Sequence, residues 1–541
     1  MAALLLSTAA CSSSSTDTGS TGAETSGSGT STTADSGDGD GDGSGSTTTT
    51  GDGDGDGDGD GDGDGDIANK ALVVFIDGFI PEGIDTSDTP AIDALMANAA
   101  WSRNARAEST TISGSGWASF LTGVHWDKHQ VPDNAFANPN FGAHPHLFAR
   151  VKQALPNAVV GGCQSWEPIE SGLVIPSAPD FSSFHDYYDY SNDYWDADSA
   201  DTFCAQDVIG FAAEPSVDLL VVMFGELDGV AHAEGYGAQF PSYQAMLSKI
   251  DGHIGDIVAA IEARPTYSGE NWMVLITSDH GGEPMLHHGY NLPEHRTTPF
   301  IVSSATVVPG EVWPPPQTVD VLPTTMRHLG ATVDPAWGID GVAVGFAPSA
   351  PPIAAFGDNL IFNGDGEYER GYTGYTDVPD ASLPGWSDPG YLTTVRYDSP
   401  GGYPASTDPG PATRGENFFA GGWISEDTWA TWSVEVSNLS AGIDAGASWS
   451  LSAWLGGYAD QNDAATLTAS FRDDADAELA TATIGPVTAA DRGNATGMLE
   501  RTANGAVPAG TRSITVTLAG DWSEGFNDGY ADNLSLVLTP N

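Results

Sequence analysis

Residues 71–79 read ALVVFIDGF, an unbroken run of small and branched apolar side chains that stops at Asp77 and a glycine. A strand with one wet face alternates apolar and polar residues. This run does not alternate, so both of its faces must be buried. Three more stretches share the pattern: NAVVGGCQSW at 157–166, VDLLVVMFGELD at 217–228 and NWMVLITSDHGG at 271–282. Helical candidates lie around and between them: TPAIDALMANAA (89–100), GWASFLTGV (116–124) and YQAMLSKIDGHIGDIVAAIEA (243–263). Buried strands separated by helices predict an α/β sandwich with a mostly parallel central sheet over residues 67–347.

The texture then changes. A Pro/Ala-rich bridge, APSAPPIAAF (347–356), predicts a linker at 348–356. Beyond it the apolar period falls to two in SWSLSAWL (448–455), ATLTASF (465–471), RSITVTLAG (512–520) and DNLSLVLTP (532–540). Alternating strands punctuated by Gly, Pro and Asp predict an all-β sandwich over residues 357–541.

The front of the chain belongs to neither part. MAALLLSTAAC (1–11) resembles the end of a bacterial lipoprotein signal, in which Cys11 becomes the lipidated first residue; an ordinary signal peptide with an incidental cysteine is the alternative. Either reading predicts export, to the cell surface or periplasm with a membrane tether at Cys11, or as a secreted protein. Residues 12–66 are Ser/Thr-rich and end in repeated Gly-Asp, with nothing apolar to bury and strong self-repulsion, so they are expected to form an extended stalk. The formal net charge is −57, and the stalk explains only part of it. Such a surface disfavours nucleic acid as a bulk partner. No apolar run is long enough to span a bilayer. Cys163 and Cys204 would pair in an oxidising compartment or sit as two buried thiols.

Three of the strong strands end at or near an aspartate: Asp77, Asp228 and Asp279. In open α/β sheets, sites gather outside the carboxyl ends of the strands, and three carboxylates there repel one another unless a cation joins them. Histidines accompany them. Asp228 and His232 stand four apart in DGVAH, on one face of any helix; His280 adjoins Asp279; His288 follows in HHGYN. A mixture of carboxylate and imidazole suits zinc or another first-row divalent ion. Each pair alone is weak in a chain this rich in Asp. Their convergence on one sheet edge is what carries the reading.

With these residues in place, the chain resembles the alkaline phosphatase superfamily, in its type I phosphodiesterase/nucleotide pyrophosphatase branch. The motifs are FIDGF (75–79), TISGSGWASFLTG (111–123), DKHQVPDN (127–134), DGVAH (228–232), SDHGG (278–282) and HGYN (288–291). The resemblance implies two zinc ions. Asp77, Asp279, His280 and the nucleophile would hold one; Asp228, His232 and His288 would hold the other, with His287 and His295 as alternatives for the last ligand. It also places the nucleophile ten residues before Gly123, at Ser113. A serine is inert without a base or a metal beside it. At Ser113 the glycine loop meets a helix, whose N-terminal amides favour an anionic phosphoryl group. Thr111 and Ser115 are the rivals.

The implied reaction is two-step phosphoryl transfer through a phosphoserine. Sulfatases of this fold need x-P-x-R after the modified residue, and Ser113 is followed by Gly-Ser-Gly-Trp. Asn134, twenty-one residues on, is the implied donor to a non-bridging phosphate oxygen; as part of a D-N pair it could equally be a turn residue. Monoesterases add basic residues for the extra charge, and CQSWEPIESG (163–172) has none. A phosphodiesterase acting on a small phosphoester or headgroup is therefore expected. A phosphomonoesterase, or a surface-binding protein with an inactive phosphatase-like domain, is the alternative. The β part resembles a carbohydrate-binding-module-like jelly roll through NLIFNGDGE (359–367) and GYADNLSLVL (529–538). That resemblance implies a structural calcium at Glu367 and Asp532, and a surface glycan stacked on Trp423, Trp429, Trp454 or Trp522, unless these tryptophans are core. The cluster HDYYDYSNDYWDADSAD (185–201) is a candidate cap over the substrate, or a solvated acidic loop.

Overall fold

The computed structural model describes residues 67–177, 187–190, 200–284, 287–373, 383–387, 392–422 and 424–541. The signal-like segment with Cys11, the stalk, Trp423 and most of the 185–201 cluster lie outside them.

Eight strands form the first sheet: β1 (Ala68–Ile76), β2 (Ala99–Arg106), β3 (Val159–Gln164), β4 (Tyr187–Tyr190), β5 (Val217–Phe224), β6 (Glu270–Thr277), β7 (Thr297–Ser303) and β8 (Gly310–Glu311). Their order is β4-β3-β5-β1-β6-β7-β2-β8. β3, β4, β5, β1 and β6 pair in parallel, and β7 runs against both of its neighbours. The four non-alternating runs thus lie side by side at the centre. β1 shows why they lack alternation. Ala71, Val73 and Phe75 enter one core with Trp117, Phe120 and Leu322, while Leu72, Val74 and Ile76 enter the opposite core with Tyr243, Leu247 and Ile254. Each fully buried Val, Leu, Ile or Phe among them contributes roughly 1.5–3 kcal/mol relative to exposure. Helix Ser113–Thr122 covers the first face and helix Pro241–Glu262 the second. Cys163, near the end of β3, is disulfide-bonded to Cys204 in helix Ala200–Ala212, so the two thiols left open by the sequence are paired.

The C-terminal part has two antiparallel sheets. One is ordered β15 (Gly497–Ala506), β12 (Ser448–Gly457), β17 (Asn527–Thr539), β10 (Asn417–Gly422), β9 (Thr393–Arg396). The other is β11 (Thr428–Glu435), β16 (Ser513–Asp521), β13 (Ala464–Arg472), β14 (Glu478–Ile484). Their inner faces share one core that includes Phe419, Leu451 and Leu536 from the first sheet and Ala430, Phe471 and Val516 from the second. This is the two-sheet sandwich that the period-two strands specify. No helix among the described residues is long and apolar enough to cross a membrane.

Candidate metal centre and nucleophile

Adjacent strands β5, β1 and β6 deliver the three aspartates to one edge. Asp77 follows β1 directly, with its N–H donating to Phe224 O at the end of β5 (2.9 Å). Asp228 and His232 sit on helix Glu226–Glu234, which starts just after β5, and Asp279 and His280 lie just past β6. Gly78 completes the turn after β1 with φ of +70°, where any Cβ would lie 3.0 Å from both Asp228 Oδ1 and the Tyr236 ring. The backbone at this point leaves room for glycine alone.

Asp77, Asp279 and His280 form one group able to hold a cation, and Asp228, His232 and His288 form a second. In the first group, His280 Nδ1–H donates to Gly281 O (2.8 Å), which turns the Nε2 lone pair inward. Nε2 lies 3.3 Å from Asp77 Oδ1 and 3.4 Å from Asp279 Oδ2. Both carboxylate oxygens are buried without a hydrogen-bond partner. Three acceptors facing one another in a buried place are stable only around a positive charge. The donor set and the orphaned oxygens therefore fit a divalent ion. The second group follows the same logic: His288 Nδ1–H donates to Thr111 O (2.7 Å), and its Nε2 faces His232 Nε2 at 2.9 Å. His232 Nε2 is also 3.3 Å from Asp228 Oδ2. The His280 and His288 rings stack with centroids 3.8 Å apart, so the two groups adjoin.

Burial raises the Asp77 carboxyl well above its ordinary range, and the charges of Asp279 and Asp228 add to the effect. Burial, with Asp228 nearby, lifts Asp279 to about 7. Asp228 is driven the other way: burial opposes its ionisation, but the His232 hydrogen bond and the neighbouring imidazoles of His280 and His288 outweigh it. Burial lowers His280, and it lowers His288 to about 4, so the imidazoles are neutral and free to ligate.

The three nucleophile candidates have different surroundings. Ser113 is the first residue of helix Ser113–Thr122, and its Oγ lies 3.3 Å from His280 Nε2, at the first group. The Thr111 hydroxyl is used twice, donating to Tyr290 O (2.7 Å) and accepting from Gly289 N–H (3.0 Å). Ser115 is fully buried inside the helix and accepts from Thr110 Oγ1 (2.6 Å), while the N-cap position is Ile112. Asn134 Oδ1 accepts from Gly114 N–H (2.7 Å), which fixes its amide beside the start of that helix. Of the alternatives for the last ligand, His287 is exposed and pairs with Glu283 through its backbone. His295 is buried, with Nδ1 accepting from Tyr290 N–H (3.2 Å), and it joins neither group.

Several supporting residues escaped the sequence reading. The Tyr236 hydroxyl donates to Asp228 Oδ1. Its spacing was visible, since Asp228, His232 and Tyr236 follow one another at intervals of four. Asp201 accepts from Gly225 N–H (2.8 Å) and Glu226 N–H (3.1 Å), capping the helix that presents Asp228. Ser278 Oγ accepts from Phe79 N–H (3.0 Å) and donates to His280 O (2.8 Å), tying the β1 turn to the β6 turn. In the β part, Glu367 accepts from the Glu416 and Asn417 amides (2.9 and 2.8 Å), and Asp532 from Tyr397 (2.6 Å). Among the described residues these two join no group of three metal-ligating side chains. Trp429 and Trp522 are exposed, and Trp454 packs beside a small core cluster with Phe418 and Tyr530.

The sequence profile of the type I phosphodiesterase/nucleotide pyrophosphatase family matches residues 71–295. Human ectonucleotide pyrophosphatase/phosphodiesterase family member 7 is 25% identical over 240 residues, covering 39% of this chain and 48% of that protein. The chain thus spans about half the length of the curated relative it matches. Among solved structures, murine ectonucleotide pyrophosphatase/phosphodiesterase 5 aligns with 14% identity and a TM-score of 0.40, covering 49% of this chain and 96% of that one. A 2-O GAG sulfatase aligns with 14% identity and a TM-score of 0.39, covering 52% and 76%. Residues 71–295 of the α/β part are thus similar to the type I phosphodiesterase/nucleotide pyrophosphatase family.

Proposed function

We propose that this protein is an exported phosphodiesterase that cleaves a small phosphoester or headgroup through a phosphoserine at Ser113. The observation that carries the reading is the position of Ser113 Oγ, at a helix N-terminus and 3.3 Å from His280 of a buried, acceptor-only cluster. Asp77, Asp279, His280 and Ser113 would hold one zinc ion and Asp228, His232 and His288 a second. Bound there, the pair would supply Lewis acidity, favouring the ionised serine and offsetting negative charge that builds on the phosphoryl oxygens. Ser113 Oγ attacks phosphorus and the bond to the leaving group breaks in line; water then releases the phosphoryl group and restores the hydroxyl. Asn134, whose Oδ1 accepts from Gly114 N–H, would donate its amide N–H to a non-bridging oxygen. The absence of basic residues from 163–172 favours the less charged diester. The lipoprotein-like start and the Cys163–Cys204 disulfide support export. Glu367 and Asp532 would hold a structural calcium in the β part, a reading supported by the burial of Asp532, whose carboxyl is pushed up to about 7 by that burial with the charge of Glu367 adding to it.

The test compares hydrolysis of bis-p-nitrophenyl phosphate and p-nitrophenyl phosphate by the protein as purified, chelated and zinc-restored, with Ser113→Ala alongside. Zinc-dependent turnover that prefers the diester and vanishes in the variant is the expected result. Preference for the monoester would reassign the protein to phosphomonoesterases, and failure to bind metal would leave an inactive scaffold.

A further inference from the structure

A carbohydrate-module-like domain is ordinarily a detachable appendage, yet here the start of the β part reaches into the base of the loop that carries Ser113. Glu369 is buried, with its carboxylate between two buried arginines of the α/β part. Arg296 Nη2 donates to Glu369 Oε2 (2.9 Å), and Arg106 Nε lies 3.5 Å from the same oxygen. Arg106 is the last residue of β2, directly before the loop 107–112 that leads into Ser113. Arg296 is bound to that loop from both directions: its Nε and Nη2 donate to Ala107 O (3.2 Å each), and Ala107 N–H donates to Arg296 O (2.8 Å). The next residue, Glu108, is fixed by His125 Nδ1 (2.5 Å). Two residues past His125, Asp127 receives an ion pair from Arg370, the neighbour of Glu369. The 125–134 segment then runs on to Asn134. Glu369 is anchored in its own part, because its carbonyl accepts from Asn417 Nδ2 on β10 (3.2 Å).

We infer that the β sandwich is a working part of the phosphoester site, with Glu369 and Arg370 as positioning residues that hold the base of the Ser113 loop and the segment leading to Asn134. The inference rests on the reading of Ser113 as nucleophile. Two buried guanidinium groups cannot stay in place without a counter-charge, and the reacting geometry tolerates little displacement, since a shift of about 1 Å at such a site costs on the order of 100-fold in rate.

The experiment uses the full chain carrying Glu369→Ala, Glu369→Gln or Arg370→Ala, with Asp444→Ala as a control that breaks the Arg512 ion pair elsewhere in the sandwich. Amide hydrogen exchange by mass spectrometry is read over residues 106–117, beside kcat and KM for the diester. At least about tenfold faster exchange in that peptide is expected, with kcat falling at least about tenfold and KM moving less than about threefold. The control should match the wild type. If Glu369→Ala does not fold, Glu369→Gln, which keeps the shape and removes the charge, and Arg370→Ala still decide. Unchanged exchange over 106–117 in the folded variants overturns the inference whatever happens to turnover, as does an equal change in the control. Should the wild type hydrolyse nothing, faster local exchange would still establish the clamp, and the failure would fall on the reading of Ser113.

Discussion

Replacing Tyr236 with Phe removes one oxygen and leaves the ring where it is. The ring is fully buried and packs on Gly282, so no cavity opens and the packing around it is kept. What is lost is the hydroxyl's bond to Asp228 Oδ1. A hydrogen bond to an ionised, buried carboxylate is worth about 1.5–3 kcal/mol, which corresponds to about 10- to 150-fold in an equilibrium constant at 1.36 kcal/mol per decade. Asp228 belongs to the second cation group and to no other, so the effect should fall on that group alone. Competition titration against a chromogenic zinc chelator should show the second equivalent weakened by about 10- to 100-fold and the first unmoved, with the melting curve still cooperative. A second equivalent within twofold of the wild type would refute the reasoning. Equal weakening of both equivalents would refute it too, because the loss would then be a general loosening.

Further outcomes follow from the same geometry. A Cβ at Gly116 would sit 2.8 Å from Asp279 Cβ and from its carbonyl oxygen, so Gly116→Ala should cost about 1–3 kcal/mol in urea unfolding, with weaker zinc binding at the first group; wild-type stability would show that helix and loop separate freely. Burial opposes the charge of Glu108, but His125 overcomes this and holds the carboxyl at about 2, and Glu108 in turn raises His125 above its ordinary value. Glu108's contribution is complete above about pH 4.5 and lost as pH falls through 2, while that of His125 is complete below about 6.5 and lost as pH rises beyond its folded value. Unfolding free energies at fixed zinc should therefore differ between wild type and Glu108→Gln by on the order of 3 kcal/mol between about pH 4.5 and 6.5, and less on either side; a flat difference would exclude the pair as its source. Asp201→Ala strips a carboxylate cap from helix Glu226–Glu234 and should cost about 1–3 kcal/mol, measured by thermal unfolding, with Asp201→Ser recovering part of it.

The central strands were readable because burial on both faces leaves a composition that no half-wet strand shows. β2 and β7 were not. AAWSRNAR at 99–106 carries charge and β7 opens on TTP before a run of only three apolar residues, FIV, so neither matches the long central runs, and their place is set by pairing with each other. The metal-ligating types were legible for a similar reason: carboxylates gathered at neighbouring strand ends repel one another, and the imidazoles beside them supply lone pairs that only a shared cation can satisfy. The choice among His287, His288 and His295 was not, because it depends on the carbonyl of Thr111, 177 residues away in the chain. Glu369 was invisible for the same cause. In GEYERG it reads as one more solvated acid in an acidic protein, and its burial arises from Arg106 and Arg296, which only the folded chain brings to it.

The Cys163–Cys204 bond has a consequence for how the molecule survives damage. It joins residues 41 apart and so closes a covalent ring whose confinement in the unfolded chain is worth roughly 4 kcal/mol by loop entropy. A single peptide-bond cut anywhere in that ring leaves one molecule, with β3 and helix Ala200–Ala212 still tethered. A protease could nick the ring without parting the strand that carries Asp77 from the elements that carry Asp228 and Asp279. Such nicked protein would migrate as an intact chain until reduced, and then as two fragments.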